Sequence, residues 1–86
     1  MQIQYLPSFK RQYRKLPSNL QVQVDKRIRL FFEDRTDPKL RLHPLIGKFR
    51  GYWSININGD LRALLIIRGD QVTIFALLGT HSELYG

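Results

Sequence analysis

Cysteine is absent from the 86 residues of this sequence, and so is any long apolar run. Without thiols the chain forms neither disulfides nor thiolate metal sites, which fits a reducing cytoplasm. A helix that spans a bilayer needs about 20 apolar residues, and no stretch approaches that length. We therefore expect a cytoplasmic protein that makes no contact with a membrane.

Acidic residues are also few: seven Asp and Glu stand against 14 Lys and Arg, so the formal net charge is +7. On so small a surface this excess creates a positive field, and nucleic acid is the first partner to consider. The same charge also suits simple solubility or an acidic protein partner. Charge therefore favours a nucleic-acid role without identifying one.

Length and apolar content predict a single domain over residues 1–86. The chain is too short for two ordinary domains. Its hydrophobic fraction of 43% is sufficient for one core. No segment is polar or repetitive enough to indicate disorder.

The first residues predict a strand and a short helix. Residues 2–6 alternate apolar and polar side chains, as a half-buried strand does, and Pro7 ends that strand. Ser8 is the expected N-cap of the first helix, which stops at Pro17.

A second helix should follow directly. Ser18 and Gln21 have the spacing of a capping box, and an apolar stripe then continues to about Asp34. Two helices with so short a break form a hairpin, whose apolar faces should cover a common sheet.

The middle of the chain predicts a basic loop over residues 35–50. Its prolines and glycine disfavour regular structure. Among the side chains of this segment are those of Lys39, Arg41, His43, Lys48 and Arg50.

The last part predicts three antiparallel strands. Their ranges are residues 52–57, 61–68 and 71–78, separated by Asn-Gly-Asp and Gly-Asp turns. Gly79 should end the last strand, and the remaining residues form a short tail. The fold class is therefore α+β, with an N-terminal strand at a sheet edge, a helical hairpin and an antiparallel meander (β-α-α-β-β-β).

Two histidines, His43 and His81, are candidates for chemistry, although either is more often an ordinary surface residue. They lie far apart in the sequence with no paired ligand beside them, so we expect no metal site. RNA cleavage through the 2′-hydroxyl needs a base, an acid and a cation, which His, Asp and Arg supply. Asp60 and Arg62 follow a hairpin turn beside the basic loop, although Asp60 is also ordinary turn chemistry.

Tyr85 and Asn56 complete the candidate set. Tyr85 is suited to stack on a nucleobase, or alternatively to pack the tail. Strand alternation puts Asn56 on the face opposite to the apolar row of Trp53, Ile55 and Ile57.

Four short motifs resemble the RelE/ParE toxin superfamily, and the YafQ branch of RelE-type toxins in particular. They are HPLIG at residues 43–47, GYWSI at 51–55, GDLR at 59–62 and GTHSELY at 79–85. The resemblance covers nearly the whole chain. It implies a bacterial toxin that cuts messenger RNA in the ribosomal A site and is silenced by an acidic antitoxin.

The same resemblance implies roles for individual residues. His43, Asp60 and His81 become acid, base or phosphate-orienting groups, Tyr85 occupies an aromatic position, and Arg62 matches an arginine of RelE. Asn56 stands where the branch has a further histidine, and asparagine cannot shuttle protons at neutral pH.

The resulting hypothesis is a metal-independent endoribonuclease without cofactor. Asp60 or His43 accepts the 2′-hydroxyl proton and His81 protonates the leaving oxygen, or the reverse, while Arg62 and Lys48 stabilise the phosphorane. RNA contacts come from Asn56 and the basic loop, namely Lys39, Arg41, Lys48 and Arg50. The expected partners are the 70S ribosome with messenger RNA and 16S rRNA, and an acidic antitoxin.

Two alternatives remain open at this point. One is a ParE-like inhibitor of DNA gyrase with the same fold and no nuclease chemistry. The other is a non-catalytic RNA-binding domain, in which the basic loop docks and nothing is cut.

Overall fold

The computed structural model describes residues 2–85; Met1 and Gly86, the two ends of the predicted domain, lie outside the described residues. It contains five strands and three α-helices within that range. They are β1 (Gln2–Tyr5), α1 (Pro7–Arg14), α2 (Ser18–Glu33), β2 (His43–Pro44), β3 (Trp53–Asn56), β4 (Leu61–Arg68), β5 (Val72–Thr80) and α3 (His81–Tyr85), with a 3-10 turn at Gly47–Phe49. Among these described residues, no helix has the length and apolar character needed to span a bilayer.

The strands form one sheet in the order β1-β5-β4-β3-β2. The tight turns make β3, β4 and β5 an antiparallel meander, as predicted. The first strand adds at the edge and runs parallel to β5, from Gln2 opposite Val72 to Tyr5 opposite Phe75. The predicted α+β class and element order are confirmed, with a small edge strand and a terminal helix in addition.

The core lies between the helical hairpin and one face of the sheet. The hairpin contributes Phe9 from α1 and Val24 and Phe31 from α2, all buried. They pack in one cluster with strand residues such as Ile55 and Phe75. Since side chains alternate along a strand, Ser54, Asn56 and Arg62 project from the opposite face.

Both helices begin differently from the prediction. The first helix starts at Pro7, because proline suits the first helical position and needs no N–H there. Ser8 is not the cap; its hydroxyl donates instead to the carbonyl of Ala76 at 2.6 Å. Residues Ser18 and Gln21 do not form a capping box either. The Gln21 amide donates to the Tyr13 carbonyl at 2.9 Å, at the C-terminal end of the preceding helix.

The predicted loop at residues 35–50 contains two short regular pieces. The strand β2 pairs His43 with Ser54 and Pro44 with Trp53. Proline is tolerated because β2 is the outer strand of the sheet, where one side needs no N–H donor. The loop is therefore anchored to the sheet at His43.

The C-terminal segment is ordered rather than a plain tail. The last strand continues through Gly79 to Thr80, and α3 follows at once. A reciprocal pair of hydrogen bonds starts this helix: the Thr80 N–H donates to Glu83 Oε1 at 2.8 Å, and the Glu83 N–H donates to Thr80 Oγ1 at 3.2 Å. This is a capping box, so His81 occupies the first helical position.

Candidate active site

The strand register brings polar side chains from three strands together. His43 on β2 lies opposite Ser54 on β3, and Arg62 on β4 lies opposite Asn56 on β3. Partners in an antiparallel pair project from the same face, with Cβ atoms about 5 Å apart. His43, Ser54, Asn56 and Arg62 therefore share the sheet face that the helical hairpin leaves open.

A cavity of about 370 Å³ lies over this face. Eight residues from four segments of the chain line it: Arg41, His43, Leu45, Ser54, Asn56, Arg62, His81 and Tyr85. Basic, imidazole and hydroxyl groups predominate, and no carboxylate lines the cavity within residues 2–85. The site is therefore suited to an anionic ligand.

His43 is held in one tautomer by the backbone. Its Nδ1 atom lies 2.7 Å from the carbonyl oxygen of Arg41. A carbonyl oxygen only accepts, so Nδ1 carries the proton, and Nε2 of the neutral ring is a proton acceptor. His43 can therefore act as a general base. Arg41, which supplies the carbonyl, has a φ of 48°, a left-handed backbone conformation that is unfavourable for arginine.

Arg62 is a cation fixed by backbone carbonyls. Its guanidinium donates to the carbonyl oxygens of Asn58 at 2.9 Å and Gly59 at 3.1 Å. These two residues belong to the turn before β4, and the Asn58 side chain stabilises that turn by accepting from the Asp60 and Leu61 N–H groups. Because the bonded groups are neutral carbonyls, the positive charge of Arg62 is available to a bound anion.

His81 and Tyr85 form one side of the cavity from α3. They are four residues apart, so they share one helix face, and their ring centroids are 4.9 Å apart. Tyr85 also meets Phe49 edge-on at 5.6 Å, and Phe49 meets Tyr52 at 6.0 Å. The backbone N–H of His81 donates to the Asp60 carbonyl at 3.2 Å, which ties the helix start to the β3–β4 turn. Tyr85 thus both packs the C-terminal helix and faces the cavity.

Six of the ten residues singled out from the sequence line this cavity. They are Arg41, His43, Asn56, Arg62, His81 and Tyr85. The remaining four, Lys39, Lys48, Arg50 and Asp60, do not line it.

Asp60 lines a separate cavity with Lys15 and Glu83 on the other side of α3. What reaches the site from Asp60 is its carbonyl, through the bond to His81. Lys48 lies over the Phe49 ring, 5.2 Å from its centroid, and Arg50 is exposed. Lys39 lies in a basic groove beside Lys26, Arg27 and Arg29 of α2.

Ser54 and Leu45 were missed as site residues. Ser54 shares the strand face of Asn56, so the alternation already indicated its side. What the sequence could not indicate was that β2 would pair with β3 and cover this position.

Comparison with known proteins gives a fold and not a family. No protein-family model and no curated protein matches the sequence. Among solved structures, YafQ from E. coli is similar over 98% of this chain and 97% of its own, with 21% identity and a TM-score of 0.77.

Two further structures agree with that one. A YoeB/ParE toxin from Agrobacterium tumefaciens matches over 94% of this chain and 99% of its own, with 20% identity and a TM-score of 0.78. The RelBE2 toxin-antitoxin complex from Mycobacterium tuberculosis matches over 93% and 96%, with 21% identity and a TM-score of 0.69. The predicted RelE/ParE-type fold, similar to YafQ, is confirmed.

Proposed function

We propose that this chain is the toxin of a bacterial type II toxin-antitoxin pair, and that it cleaves messenger RNA in the A site of the 70S ribosome. The observation that carries the proposal is that His43, Arg62 and His81 line one cavity, with Tyr85 at its side. A base, a cation and an acid are the groups that RNA transesterification needs.

In the proposed reaction His43 is the base and His81 the acid. Nε2 of His43 takes the proton of the ribose 2′-hydroxyl, and the oxygen attacks the adjacent phosphorus. The bond from phosphorus to the 5′-oxygen breaks, and the imidazolium of His81 protonates that oxygen. The products are a 2′,3′-cyclic phosphate and a 5′-hydroxyl, and the two histidines end with exchanged protonation states.

The tautomer of His43 supports this order of roles. Because its Nδ1–H is bound to the Arg41 carbonyl, the free nitrogen of the neutral ring accepts a proton. Asp60, the other candidate base, lines a different cavity, which favours His43.

Arg62 stabilises the extra negative charge that develops on phosphorus. A guanidinium held by carbonyls is already oriented when that charge appears, which is the condition for effective electrostatic catalysis. In this scheme the side chains supply every catalytic group, so the reaction proceeds without a metal. Tyr85 and Asn56 contact the bases or the backbone of the RNA beside the cleavage position.

Ribosomal RNA would be bound outside the cavity. Residues 39–41 connect Lys39, in the basic groove on α2, to the cavity. This segment is held against β3 because the Leu40 carbonyl accepts from the Asn56 N–H at 2.7 Å. Lys48 and Arg50 are exposed on the adjoining loop. Such groups suit phosphate contacts with 16S rRNA.

The proposed partner that silences the toxin is an acidic antitoxin in the same cytoplasm. A net charge of +7 favours association with a protein of opposite sign. The Mycobacterium tuberculosis structure that shares the fold is itself a toxin-antitoxin complex.

The test combines growth and cleavage. Expression of the wild-type chain should arrest a bacterial host that lacks the antitoxin, and expression of His81→Ala or His43→Ala should not. Primer extension on a defined messenger, with and without programmed ribosomes, should show cuts that require ribosomes. Each histidine variant should lose ~10² to 10⁴ in cleavage rate.

Asp60→Asn is the matched control, since that side chain lies outside the cavity; its cleavage rate should stay close to wild type. A strong loss in Asp60→Asn with none in His43→Ala would assign the base to Asp60. Growth arrest without any cut would contradict the nuclease and favour a gyrase-directed toxin. Neither arrest nor cuts would favour a non-catalytic RNA-binding domain.

A further inference from the structure

We propose that Ser54 is a further substrate-binding residue: its hydroxyl donates a hydrogen bond to a phosphate oxygen of the RNA in the cavity. The inference rests on the proposed function, because it names a group that holds the same substrate. It concerns a residue with no other role in the site.

The Ser54 hydroxyl is buried without a partner. The residue is 1% exposed, and within residues 2–85 its Oγ has no hydrogen-bond partner. Leaving a buried hydroxyl without a hydrogen bond destabilises the folded state, whereas alanine would occupy the same space without that cost. Among the described residues, the hydroxyl therefore makes no hydrogen bond that would stabilise the folded protein.

The position of Ser54 explains where a partner would come from. It lies in the middle strand of the three that form the cavity floor, opposite His43 on one side and Leu64 on the other. Asn56, two residues along β3, projects from the same face and lies opposite Arg62. A group bound between His43 and Arg62 thus lies over β3 between Ser54 and Asn56, next to the Ser54 side chain.

The chemistry of the neighbouring groups identifies the kind of atom bound. Arg62 offers only donors, and Asn56 offers an amide with two. A hydroxyl among them completes a donor set, and the ligand that several donors share is an anionic oxygen. The Asn56 amide oxygen accepts a hydrogen bond but cannot take up a proton at neutral pH, whereas His43 Nε2 can, so the 2′-hydroxyl is assigned to His43. Ser54 is left to donate to a non-bridging oxygen of the phosphate.

Ser54→Ala separates this role from a structural one. Binding of adenosine 3′-monophosphate, which carries both a 2′-hydroxyl and a phosphate, is measured by calorimetry, and thermal unfolding is followed in parallel. We expect Ser54→Ala to bind roughly ten- to hundredfold more weakly, because a hydrogen bond to a charged group is removed. Its melting temperature should equal or exceed that of the wild type. Ser18→Ala, an exposed serine at the start of α2, is the control and should change neither property.

The outcomes are distinct. Unchanged binding in Ser54→Ala overturns the inference and leaves the nuclease proposal standing. A lowered melting temperature also overturns it, because the hydroxyl would then have a partner within the protein. A second variant, Ser54→Cys, keeps a weak donor of similar size; it supports the inference if its affinity is intermediate. If the wild type neither binds the nucleotide nor cleaves RNA, the proposed function fails first and this inference fails with it.

Discussion

At the scale of single residues, the proposed assignment of the base depends on a backbone conformation, that of Arg41, which could not be predicted from the sequence. His43 and Asp60 were equally good candidates from their chemistry. The structure favours His43 as the proposed base, because the left-handed Arg41 places its carbonyl against His43 Nδ1, while Asp60 lines another cavity. Among residues 2–85, Arg41 is the only non-glycine residue with a positive φ.

The conformation of Arg41 leads to a prediction about the His43 tautomer. Arg41→Asn should preserve the Nδ1–H tautomer of His43, since asparagine tolerates the left-handed region better than most residues. Arg41→Val should be less stable than Arg41→Asn by about 1–2 kcal/mol, because a β-branched side chain is strained there. Both variants lose the same charge, so the comparison isolates the backbone.

Thermal unfolding measures the difference in stability, and two-dimensional ¹⁵N spectra of the imidazole show which nitrogen carries the proton. The Nδ1–H form should dominate in Arg41→Asn, and both tautomers should appear in Arg41→Val. Equal stability and the same tautomer in both variants would mean that the carbonyl contact does not depend on this conformation.

At the scale of elements, the central meander followed from the sequence, and the ends of elements did not. Residues 61–68 were predicted as a strand and form β4 without a change of bounds, because two turn signals delimit an apolar run. The terminal helix was missed even though Thr80 and Glu83 carry a recognisable capping-box spacing. The same spacing at Ser18 and Gln21 was a false signal, since Gln21 binds the end of α1 instead. Spacing identifies a possible cap, and tertiary contacts decide which one forms.

The capping box predicts an acid-sensitive C-terminal helix. The Thr80 backbone N–H, and then its hydroxyl, hold the pKa of the Glu83 carboxyl below its ordinary value. A lowered pKa in the folded state means that the carboxylate stabilises the fold above the ordinary carboxyl pKa. That contribution disappears as the pH falls through the lowered value. The Thr80 amide resonance should therefore titrate with Glu83 in acid, and Glu83→Gln should abolish this titration.

The variants at the cap test the same element at neutral pH. Thr80→Ala should destabilise the protein by about 1 kcal/mol, whereas Thr80→Ser keeps the hydroxyl and should be close to wild type. Loss of the cap should also weaken cleavage, because His81 and Tyr85 are held by this helix. If Thr80→Ala and Thr80→Ser unfold at the same temperature, the hydroxyl bond to Glu83 contributes nothing measurable.

At the scale of the whole molecule, charge and topology act on different parts of the proposed function. The candidate site was largely predictable, because the residues that the motifs single out converge once the strands pair in register. The division of the basic residues was not: Arg41 lines the cavity, Lys39 lies in a separate groove, and Lys48 packs on Phe49. Sequence position alone placed all three in one loop. Long-range packing of α2 beside residue 39 puts Lys39 in a groove apart from the cavity, so the proposed docking and the proposed chemistry use different residues.

This separation predicts how salt affects ribosome binding. Removing one contact between a basic side chain and a phosphate should reduce the slope of log affinity against log salt by about 0.7 to 0.9. Lys39→Gln should therefore flatten the slope while leaving the cleavage rate on saturating ribosomes unchanged.

Arg68→Gln is the control. It removes the same charge from an exposed residue at the opposite end of β4 from Arg62, and it should leave the slope unaltered. If both variants flatten the slope equally, binding responds to net charge and not to a located contact, and the groove on α2 loses its assigned role. A slope lowered only by Lys39→Gln would instead locate the ribosomal RNA along the path from α2 through residues 39–41 to His43.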